Sequence, residues 1–266
     1  MPDRADVPLL RWDDGTPLGV SVGVTTRHGG VSGSPYDTLN LGLHVGDSPA
    51  CVATNRARAA AAFGVTLDTV VFAQQVHGAQ VAVVGRDDGG RGARADADAV
   101  PGTDALVTSE PGVTLAMMVA DCVPLALVDP VRGVLAAVHA GWRGTAAGVA
   151  GAAVDAMRSL GARPERVRAF LGPAVAPDRY QVTDEVRDAL AAAVGPEPLD
   201  EGAASADEPG HWLVDLIAAN RQQLRRAGLL DEHIGTSGRT TADPDLFSDR
   251  AQRPCGRFAL LACRRG

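Results

Sequence analysis

The sequence lacks several features that would assign it to common classes of protein. It contains no run of apolar residues near the ~18 that a membrane-spanning helix requires, so we expect no membrane segment. It also lacks an excess of positive charge, because 25 Lys and Arg residues stand against 32 Asp and Glu residues, a formal net charge of −7. This balance disfavours binding to nucleic acid or to an anionic membrane surface.

Cysteine is scarce and irregularly spaced. The four cysteines, Cys51, Cys122, Cys255 and Cys263, form no CxxC pair and do not have the density of a disulfide scaffold. The N-terminal stretch MPDRADVPLLRWDDG contains no continuous apolar signal region, so we expect a cytoplasmic protein. In a reducing compartment each cysteine is a free thiol or a metal ligand.

What is present indicates one large mixed domain. Hydrophobic residues make up 45% of the 266-residue chain, which is enough to bury a sizeable core. Short strand-like runs alternate with helical patterns, and neither a repeat nor a linker interrupts them, so one mixed α/β domain over residues 1–266 is the simplest interpretation. Residues 85–103 are polar and glycine-rich and predict a mobile surface loop that could act as a lid. Residues 196–209 predict a second loop with an acidic excess.

The most informative stretch reads ADCVPLALVDPVRGVLAAVHAGWRGT. Two apolar runs, Val123–Asp129 and Val134–His139, flank a turn that contains Pro and Gly, which predicts an antiparallel hairpin. Val128 then faces roughly Val134, and counting back from the turn places Cys122 within about one position of His139. A thiol and an imidazole that are far apart in the sequence would therefore become neighbours in space.

A second histidine, His77 in QQVHG, also ends a predicted strand beside a glycine. Two imidazoles and one thiolate suit zinc, and three ligands leave a fourth position for water or substrate. Another hypothesis needs no metal: Cys122 is a nucleophile and His139 is its base, as in a cysteine hydrolase or deamidase. The three residues can also be ordinary core or capping residues of a non-catalytic binding protein. The residues alone leave these alternatives open.

Charged residues nearby suggest an anion site. Arg27 in TTRHGG and Arg143 in HAGWRGT lie in glycine-containing loops and are candidates to hold a phosphate or carboxylate. The loop with Arg143 leads into a predicted helix, Ala146–Leu160, whose dipole would favour an anion. Asp121 precedes Cys122 and is a candidate acceptor supporting the site, or simply caps a turn.

The ordered motifs resemble those of a known family. TTRHGGVSGSPYDTLNLGLHVGD, QQVHG, TDALVT, ADCVPLALVD and HAGWRGT are similar to the bacterial YfiH-type proteins, also called the laccase-domain or polyphenol-oxidase-like family. The resemblance covers nearly the whole chain. It implies a single-domain, layered α/β/β/α fold with mixed sheets.

The resemblance also implies an activity. The implied zinc ligands are His77, Cys122 and His139. The implied reaction is phosphorolysis of purine nucleosides such as adenosine, inosine and methylthioadenosine, which yields base and pentose 1-phosphate, with adenosine deamination alongside it. Arg27, Arg143 and Asp121 are then candidate catalytic residues, together with the ligands Cys122 and His139. We expect a monomer or a weak homo-oligomer.

The older family name implies copper chemistry, which the composition disfavours. The chain has six histidines and none of them forms a His-x-His pair, whereas a multicopper oxidase needs many more ligands. A copper-binding, polyphenol-oxidase-like activity is therefore a weaker alternative, although a single soft site can bind Cu(II) in vitro. Near the C-terminus the chain departs from the family pattern at Thr240-Thr241 and in LFSDRA, which bears on substrate range.

Overall fold

The computed structural model describes residues 7–12, 19–195 and 209–265. The loop predicted at 196–209 lies outside the described residues except at its last position. No helix in these ranges is long and apolar enough to cross a membrane.

The described residues form thirteen strands and five α-helices, numbered here in chain order. The strands are β1 (Leu9–Arg11), β2 (Val20–Thr25), β3 (Val70–Phe72), β4 (Val81–Val83), β5 (Ala105–Thr108), β6 (Thr114–Val119), β7 (Val123–Asp129), β8 (Val134–Ala140), β9 (Arg168–Leu171), β10 (Gln181–Thr183), β11 (His211–Leu213), β12 (Ile234–Thr236) and β13 (Phe258–Arg264). The helices are α1 (Pro49–Phe63), α2 (Trp142–Ala146), α3 (Val149–Ser159), α4 (Asp184–Val194) and α5 (Leu216–Arg226).

Two mixed sheets dominate the fold. Sheet I has the strand order β1-β2-β13-β6-β3, and sheet II has the order β12-β9-β7-β8-β5-β4. The pairs β3–β6, β4–β5 and β9–β12 are parallel, and the other neighbours in these sheets are antiparallel. A separate antiparallel ribbon consists of β10 and β11. The mixed α/β class predicted from the sequence is confirmed.

The sheets pack face to face, and helices cover their outer faces. The core between the sheets combines side chains of both, including Met117 and Val119 from β6 with Leu135 and Phe170 from β8 and β9. Phe63 of α1 packs on the outer face of sheet I, and α3, α4 and α5 pack on that of sheet II. Because β7 and β8 are covered on both faces, they read as continuous apolar runs. The layer order is therefore α/β/β/α.

The predicted hairpin forms from β7 and β8 in the middle of sheet II, with a register that differs by one residue. Val128 pairs with Leu135 instead of Val134, because Asp129 still belongs to the strand and pairs with Val134. The Asp129 carboxylate closes the turn by accepting hydrogen bonds from the backbone N–H groups two and three residues later. Cys122 lies immediately before β7.

The helix predicted over Ala146–Leu160 is observed as α3, Val149–Ser159, and a separate short helix, α2, precedes it in the turn that carries Arg143. Gly148 has a φ of 83°, which lies outside the helical region and separates α2 from α3. The helix that begins beside Arg143 is therefore only five residues long. The strong helix dipole expected at this turn is absent for the same reason.

Residues 85–103 run along the edge of sheet I. The backbone of β3 exchanges hydrogen bonds with this segment, from Phe72 N to Arg91 O at 3.0 Å and from Val100 N to Phe72 O at 3.0 Å. Ala93 and Val100 are buried against the core. The segment thus has a defined path, and its mobility stays a prediction.

The buried carboxylate of Asp129 is the centre of a hydrogen-bond network whose contribution to stability can be measured. It accepts hydrogen bonds from the backbone N–H groups of Val131, Arg132 and Arg163 and from the guanidinium of Arg166 at 2.9 Å. We expect Asp129→Asn to lower the free energy of unfolding near neutral pH by about 3 kcal/mol, because a buried charged network loses its anion. Urea denaturation measures this difference.

The same variant has an expected pH dependence. Burial raises the pKa of Asp129, but the hydrogen bonds from Arg132, Arg163 and Arg166 outweigh burial and lower it overall. A carboxyl group with a lowered pKa stabilises the fold above its unfolded pKa of about 4, and loses that contribution as the pH falls below this value. The difference between wild type and variant should therefore shrink below about pH 4. A difference independent of pH would contradict this account.

Candidate active site

Three side chains from different parts of the chain form a cluster of potential metal ligands. One ligand atom each of His77, Cys122 and His139 lies within 4.8 Å of the others. His77 follows β3, Cys122 precedes β7, and His139 lies in β8. The imidazole rings of His77 and His139 meet edge to face, with their centroids 4.7 Å apart. The structure thus brings together the three residues that the sequence analysis selected.

The backbone at the site is strained. Of the non-glycine residues in the described ranges, only His77, with a φ of 62°, and Asp121, with a φ of 91°, have positive φ values. Such conformations cost about 1–3 kcal/mol each and persist only where surrounding contacts hold them. Both residues are in the cavity wall that contains the cluster.

Asp104 supports two of the potential ligands and was missed by the sequence analysis. Its fully buried carboxylate accepts a hydrogen bond from His139 Nδ1 at 2.8 Å and from the backbone N of His77 at 3.0 Å. It also accepts hydrogen bonds from the backbone N–H groups of Val76 and Gly78. A carboxylate behind a histidine fixes the ring and its tautomer, so that Nε2 remains for a metal or a proton.

The cluster favours a charged thiolate. Burial raises the pKa of Cys122, but the charge and hydrogen bond of His139 and the hydrogen bond of His77 lower it overall. Burial lowers the pKa of His139, but the charge of Cys122 and the hydrogen bond to Asp104 raise it overall. The thiolate is the form of cysteine that binds metals and attacks electrophiles.

Gly141 is required here for space. A Cβ atom at this position would lie 2.8 Å from Cys122 Sγ and 3.1 Å from His77 Cδ2. Any larger residue would therefore displace two of the clustered side chains. In the sequence the glycines of this turn suggest an anion site, whereas in the structure Gly141 is needed for steric reasons.

The cluster lies in the wall of a cavity of about 650 Å³, a size typical of small-molecule sites. Arg143 and Arg250 line it, and their guanidinium groups stack on aromatic rings, that of Arg143 on Trp142 at 4.2 Å and that of Arg250 on Tyr180 at 5.2 Å. Neither forms an ion pair with a carboxylate in the part of the chain that the structure describes. Two guanidinium groups are therefore available to an anionic ligand.

Two other arginines line the cavity but are engaged. Arg253 Nε lies 2.6 Å and Arg257 Nη2 lies 3.2 Å from the carboxylate of Asp249. This pairing neutralises part of the positive charge at that end of the cavity. Arg143 and Arg250 are the better candidates for an anion.

Tyr180 adds a neutral donor to the same wall. Its side chain lines the cavity and is 9% exposed, and its hydroxyl has no hydrogen-bond partner among the described residues. Burial and the nearby Cys122 raise the pKa of the phenol, so it keeps its proton. Neither Tyr180 nor Arg250 was selected from the sequence, because no local pattern distinguishes them.

The structure does not bring Arg27 to the cavity. Its Nε donates to the backbone oxygen of Asp37 at 2.9 Å, and its guanidinium lies over the ring of Phe247 at 4.7 Å. Arg27 therefore does not line the cavity, and its side chain instead packs on Phe247, in the segment before β13. Asp121 does lie in the cavity wall, 8% exposed, beside Cys122.

We expect Asp104→Asn to weaken zinc binding by about 10- to 100-fold, the usual effect of losing a partner behind a ligating histidine. The amide keeps one acceptor for His139, but its NH₂ group would face the N–H groups of Val76 and Gly78. Titration against a chromogenic zinc chelator measures the affinity. Asp98→Asn, at an exposed position of the same loop, is the control. Equal affinities in both variants would contradict a supporting role for Asp104.

The fold and the site place the chain among layered α/β proteins with a His/Cys/His candidate metal centre in an arginine-lined cavity. Residues 21–265 match the family described as multi-copper polyphenol oxidoreductase laccase. The chain belongs to this YfiH/laccase-like family, and the resemblance seen in its motifs is confirmed.

Similar proteins cover almost the whole chain. It is 42% identical over 252 residues to purine nucleoside phosphorylase YlmD of Geobacillus stearothermophilus, which covers 93% of this chain and 91% of the relative. It is 46% identical over 238 residues to a purine nucleoside phosphorylase of Mycobacterium tuberculosis, covering 89% of each. The crystal structure of Bacillus licheniformis protein YfiH superimposes with a TM-score of 0.87 at 36% identity and covers 92% of this chain and 93% of that one.

Proposed function

We propose that this protein is a zinc-dependent purine nucleoside phosphorylase that acts on adenosine, inosine and methylthioadenosine. The observation that carries the proposal is the cavity, in which three potential metal ligands share a wall with two guanidinium groups that have no described carboxylate partner. The names of the relatives support the same reaction class. A cytoplasmic location and a monomeric or weakly oligomeric state stay predictions.

The donor set fits zinc. The potential ligand atoms of His77, Cys122 and His139 lie within 4.8 Å of each other, so these three residues would hold the ion together. A thiolate with two imidazoles disfavours Mg²⁺ and Ca²⁺, which prefer oxygen ligands, whereas Cu(II) remains able to bind in vitro. Zinc supplies Lewis-acid polarisation of a substrate atom when it is bound.

The arginines have a defined task in phosphorolysis. The bond between the anomeric carbon and the purine nitrogen breaks, a phosphate oxygen bonds to that carbon, and the proton of hydrogen phosphate ends on the base. Arg143, Arg250 and the Tyr180 hydroxyl would hold the phosphate against the sugar, which removes most of the entropic cost of bringing two substrates together. The phosphate charge also stabilises the cationic sugar of the transition state.

The test incubates purified, zinc-loaded protein with adenosine or inosine, with and without inorganic phosphate. We expect base and pentose 1-phosphate in equal amounts, and no base release when phosphate is omitted. Free ribose formed without phosphate would contradict the proposal. Conversion of adenosine to inosine and ammonia in the same assay would support the adenosine deaminase activity that the family resemblance implies.

Chelation separates the remaining alternatives. Turnover that survives metal removal and stops on thiol alkylation would favour the cysteine hydrolase, with Cys122 as nucleophile and His139 as base. Absence of turnover with every nucleoside, despite bound zinc, would favour a binding protein.

A further inference from the structure

Asp121 is joined by its side chain to a distant part of the chain. Its Oδ1 accepts hydrogen bonds from Thr241 Oγ1 at 2.5 Å and from Ser248 Oγ at 2.7 Å. Its Oδ2 accepts a hydrogen bond from the backbone N of Arg250 at 2.6 Å. Since both carboxylate oxygens are engaged by donors and the residue is 8% exposed, Asp121 is poorly placed to deliver a proton to substrate.

These bonds define the turn that carries Arg250. Ser248 Oγ, which donates to Asp121, also accepts a hydrogen bond from the backbone N of Ala251 at 3.1 Å. The backbone of Arg250 is therefore held by Asp121 on one side and by the Ser248 turn on the other. Its guanidinium is then oriented by the Tyr180 ring, 5.2 Å away.

We propose that Asp121 is a positioning residue that places Arg250 for phosphate binding; this inference rests on the proposed function. Cys122 directly follows Asp121, so one peptide bond links a potential metal ligand to the anchor of Arg250. The dipeptide Asp121-Cys122 then fixes the position of the metal centre relative to the phosphate. Asp121 has a positive φ of 91°, a backbone conformation that persists in a non-glycine residue only where surrounding contacts hold it.

The test is a double-mutant cycle that measures binding of inorganic phosphate by calorimetry to zinc-loaded protein. We expect Arg250→Ala to weaken phosphate binding about tenfold, as for loss of a charge-assisted hydrogen bond. Asp121→Gly, which tolerates the positive φ at this position, should weaken it by a similar factor, because the N–H of Arg250 loses its acceptor. If Asp121 acts through Arg250, the double variant binds phosphate no more weakly than Arg250→Ala alone.

Two outcomes would overturn the proposal. One is a double variant whose loss of phosphate affinity equals the product of the two single losses. The other is an Asp121→Gly protein that loses zinc while its phosphate affinity stays unchanged. If that variant does not fold, Ser248→Ala replaces it in the cycle, since it removes one bond of the same turn without touching the neighbour of Cys122.

The readout is independent of turnover. If the wild-type protein binds phosphate but cleaves no nucleoside, the proposed function is refuted. The double-mutant cycle would then still determine whether Asp121 acts on phosphate binding through Arg250. A wild-type protein that binds no phosphate would refute both.

Discussion

Cys122→Ala is expected to remove zinc from the purified protein and to lower kcat/KM for nucleoside phosphorolysis by well over 100-fold. Loss of a residue behind a ligand already weakens metal binding by about 10- to 100-fold, and loss of a ligand costs more. Cys122 supplies the only sulfur of the cluster, and its thiolate is the only anionic ligand that the three residues offer to a cation. Elemental analysis and steady-state kinetics measure the two effects.

Cys51→Ala is the matched control. Cys51 is also a partly exposed free cysteine, but it lies in α1 and does not belong to the cluster. Zinc content and turnover should stay at the wild-type level in this variant. A Cys122→Ala protein that kept both would refute the metal centre. An inactive Cys122→Ala protein, combined with wild-type activity that survives chelation, would support the thiol nucleophile instead.

The three clustered residues were predictable from the sequence because their placement tolerates small errors. The predicted register of β7 and β8 was off by one residue, yet Cys122 and His139 still meet. Both lie at the open end of the β7–β8 hairpin, so a shift of one residue in the register still leaves them close to each other. His77 was found because a histidine beside a glycine ended a predicted strand.

The rest of the site depends on tertiary contacts that leave no local pattern. Arg250 lines the cavity, and its backbone N–H bonds to Asp121, which is 129 residues earlier in the chain. Tyr180 was not selected as a site residue for the same reason, since a tyrosine in an apolar stretch of sequence is usually a core residue. Asp104 had a weak signal, a carboxylate directly before the fully buried β5, but many such residues only cap strands. Short strands such as β10, β11 and β12 were missed because three residues carry little periodicity.

Arg27 illustrates the opposite case. Its glycine-containing loop resembles an anion site in the sequence, but the guanidinium is committed to Asp37 and to the face of Phe247. Arg143 lies in an equally glycine-rich segment and remains free of carboxylates among the described residues. What distinguishes the two arginines is the presence of a nearby acceptor, which only the folded chain determines.

That difference makes Arg143 the arginine with the larger expected effect. Arg143→Ala should lower kcat/KM for phosphate by about 100-fold, mainly through a higher KM for phosphate, because a positioned donor to the reacting anion is lost. Arg143→Lys keeps the charge but not the planar pair of donors, so its effect should be intermediate. Zinc content should be unchanged in both variants, since the guanidinium is not part of the ligand cluster.

The control removes the same charge elsewhere. Arg158 lies on α3, is exposed and pairs with Asp155, so Arg158→Ala changes the net charge equally without altering the cavity. Its KM for phosphate should match that of the wild type, because exposed charges at a distance are screened by salt. If Arg143→Ala behaved like Arg158→Ala while both proteins bound zinc, the phosphate would have to be held by other groups. Arg250 and the Tyr180 hydroxyl would then become the candidates, and the cavity would use a different wall for its anion.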